Sequence, residues 1–293
     1  MAAILDAVSP ESDAGEAVGR AALEPLRAEP GRAAVLTDVD GTLAPIVERP
    51  EQAGVPAEAR AVLERLSERY GLVGCISGRR AAEARRLVGV EGLAYSGNHG
   101  LELLLPGDEE PRMDPALVRF DAAASLLARL DEEALTAAGV RIEDKGPIQA
   151  LHWRGAEDEQ AAEALAREVA DRAAEAGLHP HWGRKVLELR PLASVGKDAA
   201  VRALLSAAPS PMVSSSFFAD MAKKHKLTVY AGDDTTDLDA FRALRELRDS
   251  GELEAAVCVG VVSPEAPPEL AAESDLTVDG PAGWLTILEG LAE

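Results

Sequence analysis

The chain reads as an α/β fold, a parallel-sheet core interrupted by an inserted α+β unit, on three observations. Short apolar runs alternate with Ala-rich stretches of helical period over 33–105 and again over 197–291. Between them, about 108–190 carries a helix-strand-strand pattern twice, an αββαββ sandwich. Aromatics are only 3% of a chain that is 47% hydrophobic, which suits Ala-rich helices on a parallel sheet better than an aromatic-rich β-sandwich. At 293 residues there is material for two domains.

Residues 1–30 are helix-forming or frayed, end at the breaker Glu29-Pro30-Gly31 and receive no function. The pattern then predicts a strand at 33–38, a loop at 41–54, a helix at about 56–70 launched by Pro56, a strand at 71–76, a helix at about 80–88, and strand-like runs at 93–96 and 100–105. In the insert it predicts a helix at 115–137, strands at 140–144 and 148–154, a helix at 157–176, and strands at 179–182 and 185–190. Alternation resumes with helix 197–207, strand 227–231, helix 236–248, strand 256–260 and a helix near 281–291, and the Ser- and Pro-rich stretch 207–226 reads as a long surface loop. The chain thus divides into an extension (1–30), a core (31–107 and 191–293) and a cap (108–190).

Thirty basic against 51 acidic residues, a net charge of -21, argue against nucleic acid or an anionic membrane surface as partner. No apolar run of about 18 residues is present to span a membrane. Asp6, Glu11, Asp13 and Glu16 make the start unlike a signal peptide, so a cytoplasmic location is expected. Cys75 and Cys258 lie in apolar strand-like runs and are expected to be buried and reduced.

Chemistry concentrates where strands end. Asp38-Val39-Asp40-Gly41-Thr42 follows the first strand, and carboxylates at i and i+2 leave a strand on the same side. Gly41 permits a sharp turn, and Thr42 offers a hydroxyl and an N–H at its mouth. In such a cradle one carboxylate can attack phosphorus while the other handles the leaving-group proton. Strand 71–76 runs into Ser77-Gly78-Arg79, a hydroxyl, a flexible residue and a guanidinium at the ligand-binding edge of an open sheet. Strand 227–231 runs into Gly232-Asp233-Asp234-Thr235-Thr236-Asp237, whose carboxylates repel unless a cation such as Mg²⁺ sits among them; Asp233 is the better ligand and Asp237 suits a helix N-terminus. Lys197 opens a helix, against the dipole, which points to an anionic neighbour.

DVDGTLAPI, ISGR, the Gly196-Lys197 pair and YAGDDTTDLDAF resemble the four signature loops of the haloacid dehalogenase superfamily, and more narrowly the trehalose-phosphatase family with its DxDGTLxPI opening. GNHGLE at 97–102, EDKG at 143–146, LHWR at 151–154 and GRKVLELRP at 183–191 extend the likeness over about 33–288. The resemblance implies a Rossmann-like core with a cap domain, and Mg²⁺-dependent hydrolysis of trehalose 6-phosphate through an aspartyl-phosphate. It implies Asp38 as nucleophile, Asp40 as general acid/base, and Ser77 and Lys197 on the phosphoryl group. Mg²⁺ would be held by the Asp38 side chain, the Asp40 backbone carbonyl and Asp233; the sugar would be held by Lys145, Lys185 and Glu188 with Arg184. Thr42, Gly78, Arg79 and His99 complete the substrate-binding set. The partners implied are a small sugar phosphate and the trehalose-phosphate synthase.

Three departures from the family pattern bear on fine specificity: Leu238 replaces an acidic residue, the lysine neighbourhood reads Ser-Val-Gly-Lys-Asp without its leading Trp, and 207–226 is long. Sucrose phosphate, glucosylglycerol phosphate and mannosyl phosphoglycerate are the alternative substrates. A sugar-phosphate sensor would be expected to have lost one of Asp38, Asp40 or Asp233, and all three are present. His99, His152 and His181 fit no zinc spacing, and Trp153 and Trp182 suit sugar stacking or packing on cap helices. Clean alternation over 185–190 puts Lys185 and Glu188 on opposite faces, so either the strand bends or one of them is no contact.

Overall fold

The computed structural model describes residues 21–47, 54–113, 125–127, 132–191, 196–206, 225–264 and 266–293. A large sheet is built from β1 (Ala33–Asp38), β2 (Leu72–Ile76), β3 (Ala94–Gly97), β4 (Glu102–Leu104), β5 (Arg112–Met113), β10 (Leu227–Gly232), β11 (Ala255–Val262) and β12 (Leu276–Asp279). Its order is β12-β11-β10-β1-β2-β3-β4-β5, with the first six parallel and β4 and β5 added antiparallel. Apolar residues line both faces of β1, as a parallel strand covered by helices on both sides requires. Ala33 and Val35 pack with Trp284, whereas Ala34 and Leu36 pack with Tyr230 and Phe241.

The helices on this sheet are α1 (Glu24–Ala28), α2 (Ala57–Arg69), α3 (Ala81–Val88), α6 (Lys197–Ser206), α7 (Thr235–Asp249), α8 (Pro268–Ala272) and α9 (Gly280–Ala292). Pro56 is the N-cap of α2, as its position predicts. Leu23 and Leu26 are fully buried in the main core, so the end of the stretch read as an extension packs under the large sheet. β5 pairs with β4 through Glu102↔Met113, which carries the large sheet past residue 107 into the span read as cap. β12 and α8 escaped the sequence pattern because each spans only four or five residues.

The smaller sheet contains β6 (Arg141–Asp144), β7 (Gln149–His152), β8 (His179–Gly183) and β9 (Val186–Arg190) in the antiparallel order β6-β7-β9-β8. Its helices are α4 (Glu132–Ala137) and α5 (Glu159–Glu175). Of the helix expected at 115–137, residues 125–127 and 132–137 are described and helical; the rest, like 207–224 of the long loop, lies outside the described residues. Register places Ile142, Leu151 and Leu187 side by side, and they pack with Ala162, Ala166 and Val169 of α5. The opposite face aligns Glu143, Ala150, Glu188 and His181, and this polar face meets the core. Among the described residues, no helix is long and apolar enough to cross a membrane, and both cysteines are buried and free.

Candidate active site

β1 pairs with β2 through Asp38↔Ile76 and with β10 through Thr37↔Ala231, so the carboxyl ends of three parallel strands deliver Asp38, Ser77 and Asp233 to one edge. The Lys197 ammonium donates to Asp38 Oδ1 at 2.7 Å and to Asp237 Oδ1 at 2.6 Å. This answers the cation placed against a helix dipole: two buried carboxylates hold it. Burial alone would lower Lys197, but Asp237 and Asp38 outweigh it and keep the ammonium above its usual range. Burial pushes Asp38 well above the usual carboxylate range despite Lys197. Asp233 is pushed up to about 7 by burial and by the Asp237 charge.

Asp38, Asp233 and Asp237 offer ligand atoms within 4.8 Å of one another. Asp237, however, has both oxygens occupied. Oδ1 accepts from Lys197 and the Tyr230 hydroxyl, and Oδ2 from the backbone N–H groups of Asp233 at 3.1 Å and Asp234 at 2.9 Å. Asp237 is therefore the anchor for Lys197 and the Asp233 loop, and a cation falls to Asp38 and Asp233. Two buried carboxylates that burial and neighbouring negative charge both disfavour fit a divalent metal with oxygen ligands. Gly41 makes this approach possible: at φ +91°, a Cβ there would lie 2.1 Å from Asp233 Oδ2.

Thr42 was expected at the substrate, but its buried hydroxyl donates to Asp233 Oδ1 at 3.0 Å and so orients that carboxylate. Ser77 Oγ accepts from the Arg79 N–H at 3.1 Å, which leaves the hydroxyl proton to donate. Arg79, also expected at the substrate, instead forks onto Asp40: Nε to Oδ2 at 2.7 Å and Nη2 to Oδ1 at 2.9 Å. Its third nitrogen, Nη1, donates to Glu83. The Asp40 side chain is 40% exposed and that of Asp38 only 6%, so the first carboxylate of the pair is enclosed and the second faces the opening.

The cap reaches this edge through Lys145, which donates to Glu188 Oε1 at 3.0 Å and to the Gly78 carbonyl at 3.4 Å. His99 lies against Gly78, where a Cβ would come within 2.8 Å of the imidazole, and its Nε2 is 3.2 Å from Glu188 Oε2. Burial lowers His99 to about 4. The neutral ring therefore donates its Nε2–H to Glu188. Burial would raise Glu188, but His99, Lys145 and Arg190 overcome that and hold it well below the carboxylate range. Lys185 and Arg184 are not part of this group. They form the β8–β9 turn, Lys185 at φ +56°, and Lys185 Nζ donates to Glu159 at 2.7 Å. Lys145 lies at the other end of the sheet, beyond Asp144↔Gln149 and Gln149↔Leu189, so strand geometry separates the two lysines.

Two contributors carried no role in the motif reading, and a third, Asp237, was read only as suiting a helix N-terminus, where it does lie. Asp237 anchors Lys197, and its place four residues after Asp233 at the start of a helix was the available signal. Glu102 accepts from the Ala81 N–H at 2.7 Å and the Asn98 amide at 2.9 Å, tying α3 to the loop that carries His99. Arg190 donates to Glu188 through Nε and Nη2. Glu102 and Arg190 lie inside the quoted GNHGLE and GRKVLELRP runs, but spacing alone does not reveal their partners.

The trehalose-phosphatase family model matches residues 36–269. A trehalose-phosphate phosphatase of Mycobacterium avium is 35% identical over 219 residues, 72% of this chain and 51% of that protein. An uncharacterized glycosyl hydrolase of Mycobacterium tuberculosis is 36% identical over 214 residues, 73% of this chain and 15% of that protein. The chain thus spans about half the length of the first and a small part of the second. In fold it is similar to the C-terminal domain of the trehalose-6-phosphate phosphatase of C. albicans, with a TM-score of 0.74, 22% identity and coverage of 94% and 96% of the two chains. With a mostly parallel haloacid dehalogenase-like core and a match covering most of its length, the chain belongs to the trehalose-phosphatase family.

Proposed function

We propose that the chain is a Mg²⁺-dependent phosphatase that hydrolyses trehalose 6-phosphate to trehalose and phosphate. The observation that carries this reading is Asp38, enclosed at a sheet edge with Lys197 at 2.7 Å, while Asp40 two residues on faces the opening. Asp38 attacks phosphorus in line, forming an aspartyl-phosphate as the bond to the sugar oxygen breaks, and Asp40 gives that oxygen its proton. Asp40 then takes a proton from water as the water attacks phosphorus, which frees Asp38 and phosphate. Lys197 and the Ser77 hydroxyl hold the phosphoryl oxygens, and Asp237 keeps Lys197 in place. Asp38, Asp233 and the Asp40 carbonyl would hold Mg²⁺, which would supply charge neutralisation at the phosphoryl group.

Glu188 and Lys145 on the polar face of the cap recognise sugar hydroxyls, and the family match together with that polar face supports a disaccharide. The acidic surface and two buried thiols support a cytoplasmic setting. The test is phosphate release with Mg²⁺ from trehalose 6-phosphate, sucrose phosphate, glucosylglycerol phosphate and mannosyl phosphoglycerate. Trehalose 6-phosphate should lead by roughly 10-fold or more in kcat/KM. Preference for another member overturns the substrate, and no release from any overturns the activity.

A further inference from the structure

We propose that Arg79 is a positioning residue for Asp40, aiming its carboxyl group at the leaving sugar oxygen, and is not a contact to the phosphoryl group. This rests on the phosphatase reading above. All three guanidinium nitrogens are committed to carboxylates: Nε and Nη2 to Asp40 at 2.7 and 2.9 Å, and Nη1 to Glu83 at 2.5 Å. A planar fork on both oxygens of one carboxylate fixes its rotation, which a point charge such as lysine does not. The fork is itself delivered from a fixed backbone, since the Arg79 N–H donates to Ser77 Oγ at 3.1 Å and the Arg79 carbonyl accepts from the Asn98 N–H at 2.7 Å.

The need for such a holder follows from exposure. Asp38 is enclosed and tied to Lys197, whereas Asp40 is 40% exposed and would sample several rotamers unless held. Lys197 and Arg79 therefore have separate tasks, Lys197 at the nucleophile and Arg79 at the acid/base. In the first step the Asp38–phosphorus bond forms, the phosphorus–sugar oxygen bond breaks, and one proton passes from Asp40 to that oxygen. A protonated Asp40 keeps one oxygen on Arg79 and presents the O–H of the other.

Leaving-group chemistry separates this role from substrate binding. A sugar alkoxide needs the proton; 4-nitrophenolate departs without it. The rate of the first turnover, in which the leaving group departs, and KM are measured for trehalose 6-phosphate and 4-nitrophenyl phosphate with wild type, Arg79→Met, Arg79→Lys, Asp40→Asn and the Asp40→Asn/Arg79→Met double variant. Arg79→Met should slow the first turnover of the sugar phosphate by roughly 30-fold or more, with KM little changed, and that of the aryl phosphate by less than about 3-fold; the later attack of water, which uses Asp40 as base whatever the leaving group, slows alike for both. Arg79→Lys should recover only part of the loss, and Arg79→Met should add nothing in the Asp40→Asn background. Should Arg79→Met fail to fold, Glu83→Gln loosens the same guanidinium and should give a smaller loss, again confined to the first turnover of the sugar phosphate. Equal losses of first-turnover rate on both substrates, a loss in KM alone, or an undiminished Arg79→Met effect without Asp40 overturns the inference and leaves the phosphatase reading intact. Full sugar-phosphate turnover by Asp40→Asn overturns the reading itself.

Discussion

Lys145 Nζ and Glu188 Oε1 meet at 3.0 Å on the polar face of the cap, and the same ammonium touches the Gly78 carbonyl of the core at 3.4 Å. One side chain thus joins the polar face of the smaller sheet to the loop that carries Ser77. Lys145→Ala should lower kcat/KM for trehalose 6-phosphate by roughly 10-fold or more, the scale of a lost charged hydrogen bond, and barely change a small phosphate ester. Equal loss on both substrates would place the damage in the core. Lys185→Ala, at the far end of the cap sheet, should leave both substrates unchanged.

Asp237 holds Lys197 at 2.6 Å without a lone pair to spare. Asp237→Asn should lower kcat by roughly 100-fold while leaving KM within a few-fold, because the residue acts through Lys197 rather than on substrate. Steady-state kinetics on protein with a wild-type circular dichroism spectrum checks this; unchanged kcat would remove Asp237 from the machinery.

For the metal, chelation should silence the enzyme, Mg²⁺ should restore it, and Ca²⁺ should inhibit through its looser coordination. Mg²⁺ should also raise the melting temperature, because it binds the folded site and relieves Asp38 and Asp233. Asp233→Asn should lose that rise. Full activity in excess chelator would rule out the metal.

His99 is lowered by burial from its ordinary 6.5 to about 4. Between those values the unfolded chain binds the extra proton, so stability is complete above pH 6.5 and falls as pH drops toward 4. The loss is at most about 3 kcal/mol. His181, lowered chiefly by burial, acts in the same direction. Denaturant unfolding from pH 7 to 4.5 should show a shallower decline for His99→Asn, a residue that tolerates the φ of +55° at this position. Identical slopes would show that His99 does not titrate in this way.

The core was legible because β1, β2 and β10 are short apolar runs with carboxylate or hydroxyl residues at their ends, and pairing of such strands puts those ends together. Asp38, Ser77 and Asp233 follow the ends of those strands and lie together for that reason. The Arg79–Asp40 fork was not legible: it joins side chains 39 residues apart through torsions that no periodicity encodes. Lys185 was placed with the sugar by motif proximity to Glu188, although the period of two in a strand already opposed it, and the β8–β9 turn carries it to Glu159. Thr42 was read from the mouth of its turn, but the hydroxyl turns inward to Asp233, a partner 191 residues away.

The central claim, covalent catalysis by Asp38, is tested most directly by mixing Asp40→Asn protein with 4-nitrophenyl phosphate. This substrate needs no acid to leave, while release of the phosphorylated enzyme needs the base that Asn cannot supply. The expected result is a burst of one nitrophenolate per chain, followed by slow turnover, with the mass of one phosphoryl group on the peptide containing Asp38. A burst with the label on another residue, or steady turnover at the wild-type rate with no burst, would contradict it.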